Sequence, residues 1–101
     1  MESRPSLPSD DLKVFSEKHG IERLSFFGSI LREDFSEKSD VDILVEFKEG
    51  RTPGFFGLFE IEEELSALFG GWKVDLRTPE DLSRYFREKV LKDAEIIYAG
   101  R

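Results

Sequence analysis

The chain has 101 residues, of which 39% are hydrophobic and 37% charged, so we expect one compact domain over 1–101 and not a multidomain enzyme. Cysteine is absent, which excludes disulfides, zinc–thiolate sites and thiol nucleophiles. Because 22 acids outnumber 15 bases, the net charge is −7, and general nucleic-acid binding, which requires clustered Lys and Arg, is not expected. The sequence has neither an apolar run of the roughly 20 residues that span a membrane nor a secretory signal, which predicts a cytoplasmic protein without membrane contact.

Hydrophobic periodicity and turn residues predict helices and strands along the whole chain. In chain order they are a helix over about 10–19, a strand over 23–27, a short helical segment over 28–32, a strand over 41–47, a helix over about 54–69, a strand over 72–77 and a helix over about 78–92. Ser9 and Thr78 are the predicted N-caps of the first and last helices. The segment 93–99 fits either a helical turn or a short strand. This order predicts an α/β (α+β) domain with a small sheet of three to four strands flanked by helices.

Three aspartates fall on two predicted strands, Asp40 and Asp42 at the start of one and Asp75 in the next. Residues i and i+2 of a strand project from one face, roughly 6 to 7 Å apart, so Asp40 and Asp42 can close on a common ion. Two like charges about 4 Å apart repel by roughly 4 kcal/mol at an effective dielectric near 20, and a divalent cation removes that repulsion. Oxygen ligands favour Mg²⁺ or Mn²⁺ over zinc. A solvated strand face remains the alternative for the pair, and an exposed edge position for Asp75.

A glycine turn, Gly28-Ser29, separates the first predicted strand from the short helical segment. Glycine lets the backbone approach a phosphate, while Ser29 and exposed N–H groups can donate to it. Arg32, one turn later, adds a positive charge nearby. The alternatives are a simple strand-to-helix turn, and a surface arginine paired with Glu33 or Asp34.

Two stretches of the chain resemble the nucleotidyltransferase signature G-S-x-x-R-x-D followed by S-D-x-D; they read FGSILRED at 27–34 and SDVDILVEF at 39–47. The likeness extends to the strand at 74–76 and the helix start at 78–80. The chain is therefore similar to the minimal nucleotidyltransferases, the MNT or MntA-like antitoxins of the DNA polymerase β superfamily. Glu33 departs from the glycine common in relatives, and Ile30 and Leu31 from small or basic residues, which puts nucleotide preference in question more than catalysis.

The resemblance implies a fold, a reaction and a set of residue roles. The fold is the polymerase beta-like nucleotidyltransferase fold, with a small mixed sheet, and the reaction transfers AMP from ATP with release of pyrophosphate. Asp40 and Asp42 would bind two Mg²⁺ ions, or Mn²⁺, with Asp75 as the third carboxylate that helps to activate the acceptor hydroxyl. Gly28 and Ser29 would hold the β- and γ-phosphates. Two metals that clamp the attacking and leaving oxygens agree with this chemistry.

The resemblance also implies a partner, a HEPN-domain toxin whose tyrosine receives the AMP and which is thereby silenced. The alternatives are a non-enzymatic antitoxin that neutralises the toxin by binding, and a transferase acting on a small molecule, which the lack of an acceptor domain disfavours. Assembly with itself or with the toxin is left open. Phe55, Phe56 and Phe59 are expected mainly in the core, with an interface anchor as the alternative. The acidic helix face at 60–64 is expected to be solvated, or to meet a basic partner.

Overall fold

A computed structural model describes residues 5–100 of the chain. Residues 1–4 and residue 101, the two ends of the expected domain over 1–101, lie outside the described residues. The elements are α1 (Ser9–His19), β1 (Ile21–Phe27), β2 (Val41–Phe47), α2 (Phe55–Leu68), β3 (Val74–Arg77), α3 (Arg84–Asp93) and β4 (Glu95–Ala99), with 3-10 turns at Gly28–Leu31 and Pro79–Asp81. Within 5–100, no helix is both long and apolar enough to cross a membrane.

The four strands form one mixed sheet in the order β3-β2-β1-β4. β1 pairs antiparallel with β2 on one side and with β4 on the other, whereas β2 and β3 are parallel. A parallel pair needs a long crossover, and α2 supplies it. The segment that fitted either a helical turn or a strand is therefore a strand, because β1 offers it an open edge on which Leu24 pairs with Tyr98. The predicted fold class is confirmed.

The main core lies between one face of the sheet and helices α1 and α2. Its buried side chains are Leu12, Phe15, Ile21, Leu24, Phe26, Ile30, Phe35, Val41, Ile43, Val45, Ile61, Leu65, Phe69 and Val74. The opposite face is partly covered by α3 through a smaller cluster of Phe27, Leu44, Leu82 and Val90. The alternating pattern of β2 predicts Leu44 on the same outward face as the aspartates. Leu44 is on that face but is buried, because α3 packs over it. Asp42 lies on this same face, at the point where α3 leaves the sheet uncovered.

Both predicted helix caps are corrected. The first helix begins at Ser9 itself, after Pro8, and no side chain caps it. Thr78 begins only a 3-10 turn, in which its N–H donates to the Asp81 carboxylate at 3.0 Å. Leu82 is then extended and buried in the cluster under α3, which ends that turn. The helix proper starts at Arg84, where Ser83 Oγ accepts the Phe86 N–H at 3.3 Å.

Two strand boundaries also differ from the prediction. β1 begins at Ile21, earlier than the predicted Arg23, because Ile21 pairs with Phe47 and is fully buried. β3 begins at Val74, later than the predicted Trp72, because pairing with β2 starts where Val74 meets Val41. The tip of the sheet near the acids is therefore the start of both β2 and β3.

Helix α2 presents a different surface from the one expected. Phe55, Phe56 and Phe59 are 80%, 79% and 52% exposed, so their placement in the core is wrong. The helix buries the side of Ile61 and Leu65 instead. A helix of this amphipathic kind has only one apolar stripe against the sheet, and its first turn extends beyond that contact.

Some acidic residues of α2 are exposed to solvent, and another bonds the neighbouring helix α1. Glu60 and Glu63 are exposed, as expected for a solvated face. Glu64 instead bonds Lys18 and His19 of α1 at 3.1 Å and 3.0 Å. Desolvation opposes the shift, but the hydrogen bonds of His19 and Lys18 hold the pKa of Glu64 below its ordinary value. This contact joins α1 to α2 at the surface.

Candidate active site

The turn after β1 requires glycine for two independent reasons. Gly28 has a φ of 72°, in the left-handed region where a Cβ is disfavoured. A Cβ built on Gly28 would also collide with the Asp42 carboxylate. The backbone N–H of Ser29 donates to that same carboxylate. The turn and the acid therefore form one tightly packed unit.

Asp42 and Asp75 are direct neighbours in the parallel pair of β2 and β3. Side chains of paired residues in parallel strands leave the sheet on the same face, so both carboxylates face the region beside α3. Burial, and then the nearby charges of Asp75 and Asp40, raise the pKa of Asp42, although the Ser29 N–H and Arg77 act in the opposite direction. The acids thus repel one another across a half-buried surface.

Arg77 and Ser29 connect the acids to their surroundings. Arg77 Nε lies 3.3 Å from Asp75 Oδ1, so a partly exposed guanidinium accompanies that carboxylate. Ser29 Oγ donates to the backbone carbonyl of Asp40 at 3.3 Å, which fixes the turn to the residue just before β2. Asp40 is itself exposed.

The three predicted carboxylates are neighbours but not a closed cluster. Asp42 and Asp75 line the same cavity, whereas Asp40 lies just outside its wall. Across residues 5–100, no three His, Cys, Asp or Glu side chains stand close enough to form a ready-made metal centre. Even so, the donor set is all oxygen. Burial, and to a smaller extent repulsion from Asp75 and Asp40, raise the pKa of Asp42, and a hard divalent cation relieves that repulsion. The residues present therefore fit a magnesium-type ion.

A cavity of about 1110 Å³ opens in front of these acids, and its walls differ in chemistry. The polar wall consists of Gly28, Ser29, Arg32, Asp42, Asp75 and Arg77. The opposite wall includes the apolar side chains Leu82, Phe86 and Val90, with Lys89 and Asp93 farther along α3. Arg32 also forms an ion pair with Asp34, with Nε 3.6 Å from Oδ1. Arg32 is therefore both a surface arginine paired with an acid and a residue of the cavity wall. An acidic floor, a glycine turn and an apolar wall suit a nucleotide.

The family model for polymerase beta, nucleotidyltransferase, matches residues 12–100. The chain belongs to that family. This nucleotidyltransferase is 36% identical to protein adenylyltransferase MntA of Thermococcus cleftensis over 98 residues, which cover 97% of this chain and 94% of the relative. The resemblance to minimal nucleotidyltransferases and the assignment as an enzyme are confirmed.

Two solved structures share the fold of this nucleotidyltransferase. A toxin–antitoxin complex with AMP-PNP matches with a TM-score of 0.71 and 18% identity, over 94% of this chain and 76% of that one. A complex of a tri-AMPylated Shewanella oneidensis HEPN toxin with its MNT antitoxin matches with a TM-score of 0.62 and 16% identity, over 91% of this chain and 70% of that one. At these identities the likeness establishes the fold.

Several cavity residues of the nucleotidyltransferase were not singled out from the sequence. They include Phe27, Arg77, Leu82, Phe86, Lys89, Val90 and Asp93. Arg77 follows Asp75 by two positions on one strand, so the i, i+2 rule that grouped Asp40 with Asp42 would also have found it. The α3 residues follow helical spacing, but which helix face meets the acids depends on the start of α3, and that was predicted too early.

Proposed function

We propose that the chain is a Mg²⁺-dependent protein adenylyltransferase that transfers AMP from ATP to a tyrosine hydroxyl of a cognate HEPN toxin and so acts as its antitoxin. The observation that carries this proposal is the pairing of Asp42 with Asp75 beside the Gly28-Ser29 turn, at the floor of the cavity. The 36% identical relative is named a protein adenylyltransferase, and a structure of the same fold holds an AMPylated HEPN toxin. ATP is a cytoplasmic nucleotide, so the cytoplasmic location belongs to this proposal.

In this mechanism the acceptor hydroxyl attacks the α-phosphorus of ATP, the bond to the β-phosphate oxygen breaks, and pyrophosphate leaves. Asp75 takes the proton of the hydroxyl, and Arg77, 3.3 Å away, holds that carboxylate in place. Asp40 and Asp42, with Asp75 as the third carboxylate, would hold two Mg²⁺ ions, or Mn²⁺. When bound, these ions would supply charge stabilisation for the attacking and leaving oxygens.

The glycine turn and Arg32 position the rest of the triphosphate. Gly28 and Ser29 lie on the polar wall of the cavity, where they would hold the β- and γ-phosphates, with the Ser29 hydroxyl as a donor. Arg32 lies on the same wall and can exchange its exposed partner Asp34 for phosphate oxygens. An exposed ion pair of this kind contributes at most about 1 kcal/mol to stability, so a more highly charged triphosphate can replace Asp34 as the partner of Arg32.

The proposal predicts label transfer to a protein partner. With ATP labelled at the α-phosphate, Mg²⁺ and the HEPN-domain product of a neighbouring gene, the toxin should gain label on tyrosine, as identified by mass spectrometry. EDTA should abolish the signal, and Asp75→Asn should lower it by about 10² to 10³-fold, as expected for loss of a catalytic base. Asp10→Asn removes the same charge in the first turn of α1 and should match the wild type. Equal labelling by the wild type and Asp75→Asn would contradict the mechanism.

One observation favours a contribution from binding alone. Phe55, Phe56 and Phe59 form an exposed aromatic patch at the start of α2, next to the exposed Glu60 and Glu63. Helix α2 packs on the sheet face opposite the cavity, so a partner docked on this patch leaves the active site free. Aromatic anchors beside acidic residues suit a basic, RNA-cleaving partner.

The aromatic patch should therefore be separable from catalysis. The double substitution Phe56→Ser and Phe59→Ser is expected to weaken the complex with the toxin by about tenfold or more, because exposed aromatics dominate interface energies. Val14→Ser, which removes a 65% exposed apolar side chain from α1, serves as the control. The measurement is the Kd by surface plasmon resonance, with thermal unfolding to confirm the fold. An unchanged Kd would remove the patch from the interface.

A further inference from the structure

Helix α3 gives the cavity an apolar wall that the phosphate chemistry does not use. Leu82 and Val90 are buried against Phe27 and Leu44 and form the base of this wall. Phe86 lies between them in the chain, in the first turn of α3, and also lines the cavity. The acids and the glycine turn stand across from it on the sheet. A nucleotide has the same division, with a charged phosphate end and a flat, largely apolar base.

Phe86 has an available ring face. It is 51% exposed, whereas Leu82 and Val90 on the same wall of the cavity are buried. In the part of the chain that the structure describes, its ring contacts no other aromatic ring. Its backbone is held in place, because its N–H donates to Ser83 Oγ at 3.3 Å. Stacking on an aromatic side chain is a common way for proteins to bind a base.

A donor and an acceptor lie about one and two turns farther along the same helix face. Lys89 Nζ is 3.2 Å from Asp93 Oδ2, and both residues line the cavity with Phe86. Adenine presents an acceptor at N1 next to the amino group at N6, which matches an ammonium beside a carboxylate. Guanine bound in the same orientation presents the opposite order, with an N–H at N1 and a carbonyl at O6, so donor would face donor and acceptor would face acceptor. Cytosine shares the adenine order but has a smaller ring to stack.

We propose that the α3 wall is the nucleobase subsite of the cavity, in which Phe86 stacks on adenine while Lys89 and Asp93 read its N1 and N6 edge. This inference rests on the proposed transfer of AMP from ATP and adds the residues that would recognise the base. Adenine is favoured first, cytosine second, and guanine and uracil are disfavoured.

Binding measurements with two probes test the stacking role of Phe86. The probes are α,β-methylene-ATP, which cannot release pyrophosphate, and inorganic tripolyphosphate, which lacks a base, both with Mg²⁺. Phe86→Ala should weaken nucleotide binding about tenfold and leave tripolyphosphate binding unchanged, while Phe86→Trp should retain nucleotide binding. Tyr85→Ala is the matched control, because Tyr85 is the adjacent aromatic, 93% exposed and outside the cavity wall.

A charge swap tests the reading of the base edge. Lys89→Asp combined with Asp93→Lys keeps the i, i+4 ion pair and the net charge but reverses the order of donor and acceptor. The measurement is the ratio of the Kd values for α,β-methylene-GTP and α,β-methylene-ATP. In the swapped protein this ratio should shift towards the guanine nucleotide by about tenfold or more, relative to the wild type. If the ratio of the two Kd values is the same in both proteins, Lys89 and Asp93 do not recognise the adenine edge.

The outcomes separate this inference from the proposed function. If Phe86→Ala binds the nucleotide as well as the wild type does, but raises the KM for the toxin, the wall is an acceptor site and the base subsite is wrong, while the transferase proposal stands. If the wild type binds neither the nucleotide nor tripolyphosphate, the proposed function fails and this inference fails with it. Circular dichroism and thermal unfolding confirm that each variant is folded.

Discussion

Replacing Asp42 by asparagine is expected to lower the rate of AMP transfer by about 10³-fold or more and to make the folded chain more stable at neutral pH. The loss of rate follows because Asp42 lies at the floor of the cavity between Ser29 and Asp75. Removal of one group that stabilises developing charge typically costs 10² to 10³-fold, about 3 to 4 kcal/mol, and loss of a shared metal ligand adds to that.

The gain in stability follows from the sign of the pKa shift. Burial and the neighbouring carboxylates raise the pKa of Asp42 in the folded chain above its ordinary value. The folded state therefore binds the proton more tightly than the unfolded state, and stability falls as the pH rises from the ordinary pKa through the raised one. Above that window the penalty is constant. Asparagine carries no charge and removes the penalty.

Thermal unfolding in EDTA between pH 3 and pH 8 checks this expectation. The Tm difference between Asp42→Asn and the wild type should be small at the acid end, increase through the window and then level off. Added Mg²⁺ should raise the Tm of the wild type, because a ligand at 100 times its Kd adds about 2.7 kcal/mol to the free energy of unfolding. The Tm of Asp42→Asn should rise much less. Asp10→Asn should follow the wild type in both series. If Asp42→Asn is less stable than the wild type at pH 7 in EDTA, the charged Asp42 carboxylate does not destabilise the folded chain.

The parts of the site that could be predicted from the sequence are those set by short-range geometry. A glycine after a strand, and an aspartate within a strand of alternating apolar residues, fix local backbone and face without reference to the rest of the chain. Gly28, Ser29 and Asp42 are accordingly in contact. The neighbouring position of Asp75 required in addition that β3 lie parallel to β2, which the strand, helix, strand order favours.

The remaining features depend on where distant segments pack. β4 is a strand only because β1 offers it an edge, and Leu44 is buried only because α3 covers that face. The start of α3 moved to Arg84 because burial of Leu82 outweighs the local capping signal of Thr78. Phe55 and its neighbours are exposed because the contact between α2 and the sheet begins later in the helix. Composition and periodicity carry no information on these long-range contacts.

Gly28→Ala is expected to abolish most of the transfer activity and to destabilise the chain, with Gly50→Ala as a control that isolates the reason. Both glycines have a positive φ, 72° and 77°, so an alanine costs about 1 to 2 kcal/mol of backbone strain at either position. Only at Gly28 does the new Cβ collide with a carboxylate, because nothing lies within 4 Å of the corresponding position at Gly50.

The difference between the two alanine variants therefore measures the contact of the turn with Asp42. Gly50→Ala should lose about 1 to 2 kcal/mol by urea unfolding and keep its rate. Gly28→Ala should lose more, and its rate should fall by about 10²-fold or more, because displacement of reacting groups by 1 Å has that effect. The additional instability should shrink in an Asp42→Ala background, since the Asp42 Cβ is 3.4 Å from the built atom, an ordinary contact. Equal losses at both glycines, with transfer intact in Gly28→Ala, would show that the turn and the carboxylate are not coupled.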